Sequence, residues 1–558
     1  MAKHRAIRPS VQHPPKALTP RQQLVYGLGS LGLMGAVFVL ASLSKSKRRA
    51  RSEKLELPKK PFSTKAALTL ALEQPGAGTL LGVVQTRGLK SLFSRTRPWL
   101  LSREHRERHM QIMGPTRSGK SQLLLSLCAQ DMKARRSIFF MEAKGDVYDL
   151  QQFGRLARLT GRVDDLRYFN PADPLSMTFN PIRPVPGQDA TEVANQISRA
   201  IGREPGGGGE SEFFRNVDYA RIQTMTEIFM ASGLEFTLKD AFYYFQFGPC
   251  RDLAYSYCKD KSLVALAKRQ FEGAAGDTTA LTANLRPWIT GRLGQLLNSY
   301  EPQIRLEDLF SNDRLAYFAI PIGRLQVLAN PLGRMVIAGL MGIAAMRQSM
   351  AKKPEPASVI LDEFPEFATP VFASLIATVG SAKLWTIFSH QDLGQLKKVE
   401  GTPPESFFSA LFSNSSGCKV FFHLPHPADA ELIAKAAGTC TTVKTTEAVE
   451  SGFFGDMGTG RKSMREVEEF LAHPNLLRAL KPGLAVAWAH GGRASVVSTA
   501  AAHEVVDDAT PVVLPELKGL PARGLDLASA MPKEQEEDFM GLPPEAKVHE
   551  DQRRLALK

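Results

Sequence analysis

Cysteine is scarce in this sequence and follows no pattern. Five cysteines are spread over 558 residues, with no C-x-x-C pair and no zinc-finger spacing: Cys128, Cys250, Cys258, Cys418 and Cys440. A disulfide framework or a structural zinc site needs ligands at short, regular spacings, so both kinds of site are excluded. We therefore predict reduced thiols, mostly in the core of a cytosolic body.

Positive charge is also missing from most of the chain. The formal net charge is +14, but residues 1–60 hold 13 Lys and Arg against two Glu, and residues 61–108 hold eight against three acidic residues. The rest of the chain sums to −2 and has no basic stripe of the kind that marks a nucleic-acid surface. The excess instead flanks an apolar run, which indicates membrane topology.

Only residues 22–44 form an uncharged stretch long enough to cross a bilayer, and we predict a membrane-spanning helix at about residues 24–43. The flanks are too basic for a core helix, and no small-x-small cleavage site follows, which argues against a signal peptide. Residues 45–60 hold eight Lys and Arg against five in residues 1–23, so the large C-terminal part is predicted to lie in the cytoplasm. No second span is predicted.

Residues 114–121, GPTRSGKS, match the phosphate-loop pattern G-x-x-x-x-G-K-S at every fixed position. An apolar run precedes them and a helix-forming segment follows, the setting in which backbone N–H groups surround a phosphate. Lys120 is expected to reach the β- and γ-phosphates, and the Ser121 hydroxyl to ligate Mg²⁺. The predicted ATP-binding residues are Gly114, Pro115, Thr116, Arg117, Ser118, Gly119, Lys120 and Ser121. A chance match in a glycine-rich turn is the alternative.

A second motif, VILDEF at residues 359–364, places two acids at the end of an apolar run typical of a buried strand. Asp362 is predicted to hold Mg²⁺, often through water, and Glu363 to take the proton from the attacking water. A surface Asp-Glu pair is the alternative.

A polar side chain follows a third apolar run, in LWTIFSHQDLGQL. Here the Gln391 amide could sense the γ-phosphate or position the water, and a plain loop glutamine is the alternative. His390 has no second His or Cys at ligand spacing, so it is predicted to be a bystander. The pair Arg108-His109, before the phosphate loop, is a candidate for contact with the base or ribose.

Apolar strands lie on both sides of a long helical block, which predicts a parallel α/β sheet interrupted by helices. The predicted strands are Ile138–Met141, Leu315–Ile320, Ala357–Leu361, Leu384–Phe388, Cys418–Leu424 and Leu484–Ala489. The helical block runs from Thr191 to about Leu297. Residues 441–463 are polar and glycine-rich and are predicted to be a loop. The charged, Pro-rich chain from about Val505 is predicted to be a largely disordered tail or a docking peptide.

The motifs GPTRSGKS, FFMEAKGD, FNPI, VILDEFPEF, SHQDLGQL and SNSSGCKVFF, in this order, resemble the TraD/TraG family of type IV coupling proteins over roughly residues 78–500. These are hexameric, membrane-anchored ATPases at the entrance of conjugation and type IV secretion systems. The resemblance implies a RecA-like P-loop NTPase core with an inserted all-α domain. It also implies that the phosphate loop, Asp362-Glu363 and Gln391 form the ATP site, and that DNA is bound through its backbone, without sequence preference.

With this resemblance, five parts of the chain are predicted. They are a basic segment and membrane anchor at 1–60, a RecA-like motor in two pieces at 61–187 and 301–504, an all-α inserted domain at 188–300, and a disordered tail at 505–558. The motor is expected in the cytoplasm, on the bacterial inner membrane.

The chain departs from the family pattern at three points. Arg117 stands where the common form of the phosphate loop has Gly. Gly380 stands where many members carry an arginine finger, eleven residues before the glutamine, and the nearby Lys383 does not replace a guanidinium. Members usually have two membrane spans, whereas one is predicted here. The open candidates for the finger are Arg292, Arg324 and Arg334.

The leading hypothesis is a homo-hexameric ATPase that recruits a relaxase–DNA complex and pumps single-stranded DNA into a type IV secretion channel. One alternative is an FtsK/HerA-like double-stranded DNA translocase, although the helical insertion and the lack of a C-terminal winged-helix pattern argue against it. The other is a docking platform for protein substrates with weak ATPase activity, which Gly380 and the near-neutral motor body favour.

Overall fold

The computed structural model describes residues 54–76, 78–86, 95–204, 210–272, 277–368, 372, 376, 379–396, 404–415, 417–452, 455–506 and 512–531. The predicted membrane span lies outside the described residues. The chain divides into two compact units: the smaller contains Thr439–Leu471, and the larger contains Leu55–Gly438 and the chain from Ala472 onward.

The strands of the described residues are β1 Thr79–Gln85, β2 Thr96–Leu101, β3 Met110–Met113, β4 Ile138–Glu142, β5 Leu166–Phe169, β6 Leu315–Ala319, β7 Ala357–Leu361, β8 Leu384–His390, β9 Cys418–Phe421, β10 Thr439–Gly452, β11 Gly455–Phe470, β12 Leu484–Ala489 and β13 Ser495–Thr499. Eleven of them form one sheet in the larger unit, in the order β2-β1-β13-β12-β9-β3-β8-β7-β4-β6-β5.

The α-helices of the described residues are α1 Lys65–Glu73, α2 Arg103–Glu107, α3 Lys120–Lys133, α4 Val147–Leu159, α5 Ala190–Ala200, α6 Glu210–Ser232, α7 Leu238–Gln246, α8 Gly248–Tyr257, α9 Lys261–Arg269, α10 Thr279–Ile289, α11 Gly291–Leu297, α12 Leu306–Ser311, α13 Ile322–Leu325, α14 Ala329–Ser349, α15 Leu393–Leu396, α16 Pro404–Asn414, α17 Pro427–Ala437 and α18 Pro474–Arg478.

The centre of the sheet is parallel and buried. The run from β9 through β3, β8, β7, β4 and β6 to β5 is parallel throughout, and every residue of β4, β7 and β8 is buried. Strands buried on both faces are coded by continuous apolar runs, which is why the six predicted strands are all confirmed, with ends that shift by up to three residues. An antiparallel extension, β12, β13, β1 and β2, completes the sheet beyond β9. The predicted α/β class with a large parallel sheet is confirmed.

The predicted helical block is helical, and it shares a core with the sheet. Helices α5 to α12 lie between β5 and β6 in the chain. Phe139 and Phe318 of the sheet and Ile222 and Phe242 of the helices belong to one continuous hydrophobic cluster. The helices therefore bury their apolar sides together with one face of the sheet, and the boundaries 188–300 of a separate domain remain a prediction.

One helical stretch of the described residues has the length and composition of a membrane span. This stretch, Ile322–Ser349, has a hydropathy of 1.5, and 61% of its most apolar window is buried inside the protein. In the fold it contains α13 and α14, and Leu332, Val336 and Ile343 of α14 lie in the hydrophobic core with no more than 2% exposure. Its apolar character is accounted for by this packing.

The prediction of a loop at 441–463 is wrong. β10 and β11 pair antiparallel from Thr439↔Phe470 to Gly452↔Gly455, with a register shift between Glu447 and Val449. The run TCTTVKTT at the start of β10 is rich in β-branched residues, which favour extended backbone even where polar residues obscure the alternation. Polar, glycine-rich composition was therefore a poor guide to structure here.

The tail also differs from the expectation of disorder over part of its length. Leu525 and Leu527 are almost fully buried. The Leu525 N–H donates to the carbonyl of Glu235 at 2.8 Å, and the Leu527 N–H donates to the Asp240 carboxylate at 3.1 Å. Residues 525–527 thus pack onto the helical block, and the charged, Pro-rich sequence around them gave no sign of this burial. The five cysteines are buried free thiols, as predicted.

Candidate nucleotide site

The strand register brings the predicted motifs to one edge of the sheet. β3 pairs with β8 through Met113↔His390, and β8 pairs with β7 through Phe388↔Leu361. β7 in turn pairs with β4, through Leu361↔Met141. All four strands are parallel, so the residues that follow each of them meet at their carboxyl ends, where open α/β sheets bind ligands.

The phosphate loop has the backbone geometry that an anion cradle needs. Gly119 has φ +111°, a value that L side chains rarely adopt, and a Cβ on Gly114 would lie 2.6 Å from Cβ of Phe422. Helix α3 begins directly after Gly119, and no side chain caps its first turn. The first N–H groups of α3 and its positive dipole end therefore remain available to a phosphate.

The Lys120 ammonium is a buried cation that has no hydrogen-bond partner among the described residues. Lys120 is 4% exposed, and its Nζ makes no hydrogen bond there. Burial lowers the pKa of Lys120, and the charges of Asp362 and Glu363 oppose that shift. Ser118 Oγ is likewise buried without a partner. Because a buried cation is costly unless paired, this geometry fits an anion held in the loop.

Arg117 stands in the phosphate loop where the common family form has glycine. Its φ is +63°, in the left-handed region, and its side chain is exposed. Glycine reaches this conformation without the penalty, about 1–2 kcal/mol, that an L side chain carries. The loop therefore keeps its shape with Arg117, at some cost in strain.

Asp362 and Ser121, the two predicted Mg²⁺ ligands, each lie beside other residues of the chain. The Asp362 N–H donates to the carbonyl of Met141 at 2.8 Å, and its carboxylate accepts from the Ser389 hydroxyl. Burial, with the charges of Asp146 and Asp362, raises the pKa of Asp149 on α4 to about 6. The Ser121 side chain is close enough to Asp149 to lower the pKa of that carboxyl against this shift.

The donor set fits a magnesium ion shared with a nucleotide. No group of three or more His, Cys, Asp or Glu able to hold a metal occurs among the described residues. Mg²⁺ characteristically takes one or two protein oxygens and completes its shell with waters and phosphates, unlike zinc or calcium. The Ser121 hydroxyl and the Asp362 carboxylate are the oxygens predicted to hold it.

Glu363 is held in an unusual conformation beside Gln391. Its backbone lies in the left-handed region, at φ +54° and ψ +40°, which for a residue other than glycine marks a position constrained by its surroundings. Gln391 Nε2 donates to Glu363 Oε1 at 2.9 Å, and Lys144 Nζ lies 2.7 Å from the same oxygen. The structure thus brings Gln391 and Glu363 together, and the roles assigned to them remain predictions.

Sequence reasoning missed several polar residues of this edge. Lys144, Asp149 and Ser389 were assigned no role, although Lys144 and Ser389 lie in motifs that carried the family resemblance. For Lys144, the signal that could have found it was the polar turn EAKGD directly after an apolar strand. A polar residue at the carboxyl end of a parallel strand is a site candidate whichever strand it follows.

The pair Arg108-His109 lies at the opposite edge of the sheet from the phosphate loop, which argues against contact with a nucleotide held in the loop of the same chain. The four residues of β3 separate it from the phosphate loop, a distance of about 13 Å in extended chain. His109 is buried, and its Nδ1 accepts the Thr386 N–H at 3.2 Å. His390 is fully buried and hydrogen-bonded to Gln111 and to the carbonyl of Asp392, and its role as a bystander remains a prediction.

Replacing His109 with asparagine is expected to reduce the loss of stability in acid. Burial lowers the pKa of His109 from 6.5 to about 4. As the pH falls from 6.5 towards 4, His109 is protonated in the unfolded chain before it is protonated in the folded chain, so the free energy of unfolding decreases. Each unit of pKa difference corresponds to about 1.4 kcal/mol, so the effect at pH 4 is on the order of 3 kcal/mol. Asparagine tolerates the left-handed backbone of His109 and supplies an acceptor.

The measurement is the free energy of unfolding of wild type and His109→Asn between pH 7.5 and 4. The difference in free energy of unfolding between variant and wild type should change in favour of the variant as the pH falls below 6.5. The control is His426→Asn, at a side chain that is 67% exposed. A difference that stays constant over the whole range would contradict the expectation.

Gly380, at the family's finger position, lies at the amino edge of the sheet beside His109. A Cβ there would lie 3.5 Å from the Glu107 carbonyl oxygen and 3.7 Å from His109 Nε2. Lys383 forms an ion pair with Glu107 at 3.0 Å. The seven residues of β8 separate this turn from Gln391, so a side chain here cannot serve the site of its own chain.

The alternative arginines lie elsewhere in the fold. Arg292 and Arg324 donate to the carbonyls of Asp173 and Ala172, in the turn that follows β5. Arg334 lies on α14, and its Nε is buried without a partner among the described residues. The identity of a finger remains a prediction.

Known proteins resemble the chain in one segment and in the fold. Residues 356–482 match the family described as the TraM recognition site of TraD and TraG. The unbound form of the bacterial conjugative coupling protein TrwBdeltaN70 shares the fold with a TM-score of 0.53 at 15% identity, over 85% of this chain and 97% of that one. The plasmid coupling protein TrwB in complex with the non-hydrolysable GTP analogue GDPNP gives a TM-score of 0.51 at 15% identity, over 85% and 98%.

No curated protein matches the sequence. At 15% identity the structural likeness shows the fold, and the segment match adds the motifs of β7, β8 and β9. The resemblance to the TraD/TraG coupling proteins is confirmed.

Proposed function

We propose that this chain is a membrane-anchored ATPase of the coupling-protein type, which recruits a relaxase–DNA complex and pumps single-stranded DNA into a type IV secretion channel. The observation that carries the nucleotide site is the buried Lys120 ammonium, which has no hydrogen-bond partner in the part of the chain that the structure describes. It lies at the start of α3, in the electrostatic field of Asp362 and Glu363.

The residues at this edge of the sheet have separate roles in the transfer of the terminal phosphoryl group to water. The loop backbone and Lys120 bind the β- and γ-phosphates, which places the terminal phosphate beside the ends of β7 and β8. Glu363 accepts a proton from the attacking water, and Gln391, bonded to Glu363, orients that water. Mg²⁺, held by Ser121 and Asp362, would neutralise charge on the phosphates.

The assembly is proposed from the family resemblance. A homo-hexamer at the inner membrane, anchored by residues 24–43 with the motor in the cytoplasm, would surround the DNA strand. The match of residues 356–482 to a TraM recognition site supports contact with relaxosome proteins through that segment. The TrwB complex with GDPNP supports a nucleoside triphosphate as the ligand of this fold.

A docking platform with weak ATPase activity is the second candidate, because glycine occupies the family's finger position. Gly380 offers no guanidinium to a neighbouring site, and a trans arginine is worth about 10³–10⁵ in rate where it operates. This candidate predicts slow hydrolysis that does not respond to DNA.

The test is the ATPase rate of the full-length protein in detergent, with and without single-stranded DNA, over a range of protein concentrations. The proposed function predicts a rate per subunit that rises with concentration and rises again with single strands. Stimulation by duplex alone would favour a double-stranded DNA translocase. A low rate indifferent to DNA and to concentration, together with capture of protein substrates, would favour the docking platform.

A further inference from the structure

Lys144 is a charged residue at this edge of the sheet. The proposed catalytic scheme gives it no role. It stands two residues beyond β4, and the register of β4 with β7 places this turn beside Asp362 and Glu363. Its neighbours on the four parallel strands are therefore the phosphate loop, the Asp-Glu pair and Gln391.

The backbone around Lys144 is held on both sides. The Glu142 carboxylate accepts the N–H of Lys144 at 2.6 Å and the N–H of Gly145 at 2.8 Å. A Cβ on Gly145 would lie 2.9 Å from Cβ of Pro321, so this turn packs tightly against the chain after β6. Asp146 then caps α4 by accepting the Tyr148 N–H at 2.8 Å. These contacts fix the backbone of the turn and therefore the direction in which the Lys144 side chain leaves it.

The Lys144 side chain ends among the catalytic groups. Its Nζ lies 2.7 Å from Glu363 Oε1, the oxygen that also accepts from Gln391. Its charge also interacts with those of Asp362 and Lys120. The side chain is 35% exposed, which leaves its flexible end free to change partners.

The pairing occupies one oxygen of the carboxylate that is proposed as the base. Lys144 and Gln391 both donate to Oε1, so that oxygen has less capacity to accept from a water while Lys144 stays bound there. A terminal phosphate drawn in by Lys120 would bring several charged oxygens to the same ammonium. Charge-assisted bonds to phosphate are among the strongest that a lysine makes.

We propose that Lys144 is a second phosphate-facing cation, which binds the terminal phosphate of the nucleoside triphosphate and thereby releases Glu363 to accept the proton of the attacking water. This inference rests on the proposed function, because it needs a nucleotide in the loop. The terminal phosphate would then be bound by two cations of the same chain, Lys120 of the phosphate loop and Lys144.

The test compares two nucleotides on the full-length protein, in Lys144→Met and Lys144→Arg. A contact to the terminal phosphate predicts that Lys144→Met binds ADP as the wild type does, within about twofold. It should bind a non-hydrolysable ATP analogue at least about tenfold more weakly, with kcat lower by at least about tenfold. Lys144→Arg keeps the charge and should recover part of both losses. Lys133→Met, at an exposed lysine on α3, controls for loss of a positive charge.

The outcomes separate this inference from the proposed function. Equal losses for ADP and the ATP analogue would show a structural role for Lys144 and overturn the inference. So would a kcat at or above that of wild type, which would mark Lys144 as a restraint on Glu363 alone. A wild-type protein that binds neither nucleotide would overturn the proposed function first, and this inference with it.

Discussion

Replacing Lys120 with methionine is expected to abolish hydrolysis while leaving the folded protein at least as stable as the wild type. The ammonium is buried and unpartnered among the described residues, so its removal takes away a desolvated charge and leaves a side chain of similar volume. The same change removes the counter-charge of the β- and γ-phosphates. In an enclosed site such a loss costs about 3–4 kcal/mol at the transition state, or at least about a hundredfold in rate.

The measurements are the ATPase rate and the thermal unfolding midpoint, with and without nucleotide. Wild type should gain stability as nucleotide is added, by about 2.7 kcal/mol at a hundredfold excess over Kd, and Lys120→Met should gain little or none. Lys133→Met serves as the control on the same helix. Normal hydrolysis by Lys120→Met would remove the basis of the proposed function.

Replacing Glu363 with glutamine is expected to stop turnover and to leave nucleotide binding intact. Glutamine keeps the shape of the side chain and an oxygen that can accept from Lys144 and Gln391, so the local packing should persist. It cannot take a proton from water at neutral pH. A general base typically contributes about 10²–10⁴ in rate, and kcat should fall by that factor.

The matched control is Glu366→Gln, three residues on in the same turn. Binding is measured with a non-hydrolysable analogue and turnover by phosphate release, so that the two effects are read separately. If Glu363→Gln turned over at the wild-type rate, the base would have to be sought at another residue of this edge. Loss of analogue binding would instead indicate that Glu363 supports the loop structurally.

The phosphate loop could be predicted without a structure because its information is local. Gly114 and Gly119 are required by close approach and by positive φ within eight residues of chain, and the pattern records both. The buried parallel strands were predictable for a similar reason, since burial on both faces demands an uninterrupted apolar run. The same reasoning failed for β10 and β11, where β-branched residues carried the signal and a polar composition concealed it.

The partners of Glu363 could not be predicted because they come from strands distant in sequence. Gln391 was recognised from its position after an apolar run, but nothing in the order of residues indicated that it would donate to Glu363 at 2.9 Å. Lys144 lies more than two hundred residues before Glu363 in the chain. Only the pairing of β4 with β7 makes the two residues neighbours. The burial of Leu525 and Leu527 on the helical block is a contact of the same long-range kind.

The sequence by itself determined the class of fold, the phosphate loop and the two acids at the end of β7, because each depends on residues within a few positions of one another. The tertiary structure decided which edge of the sheet each motif occupies. It separated Gly380 and His109 from the site by the length of a strand, and it brought Lys144 to the Glu363 carboxylate at the end of β7. The reason is physical: hydrogen bonding between parallel strands aligns their carboxyl ends, whatever length of chain lies between them.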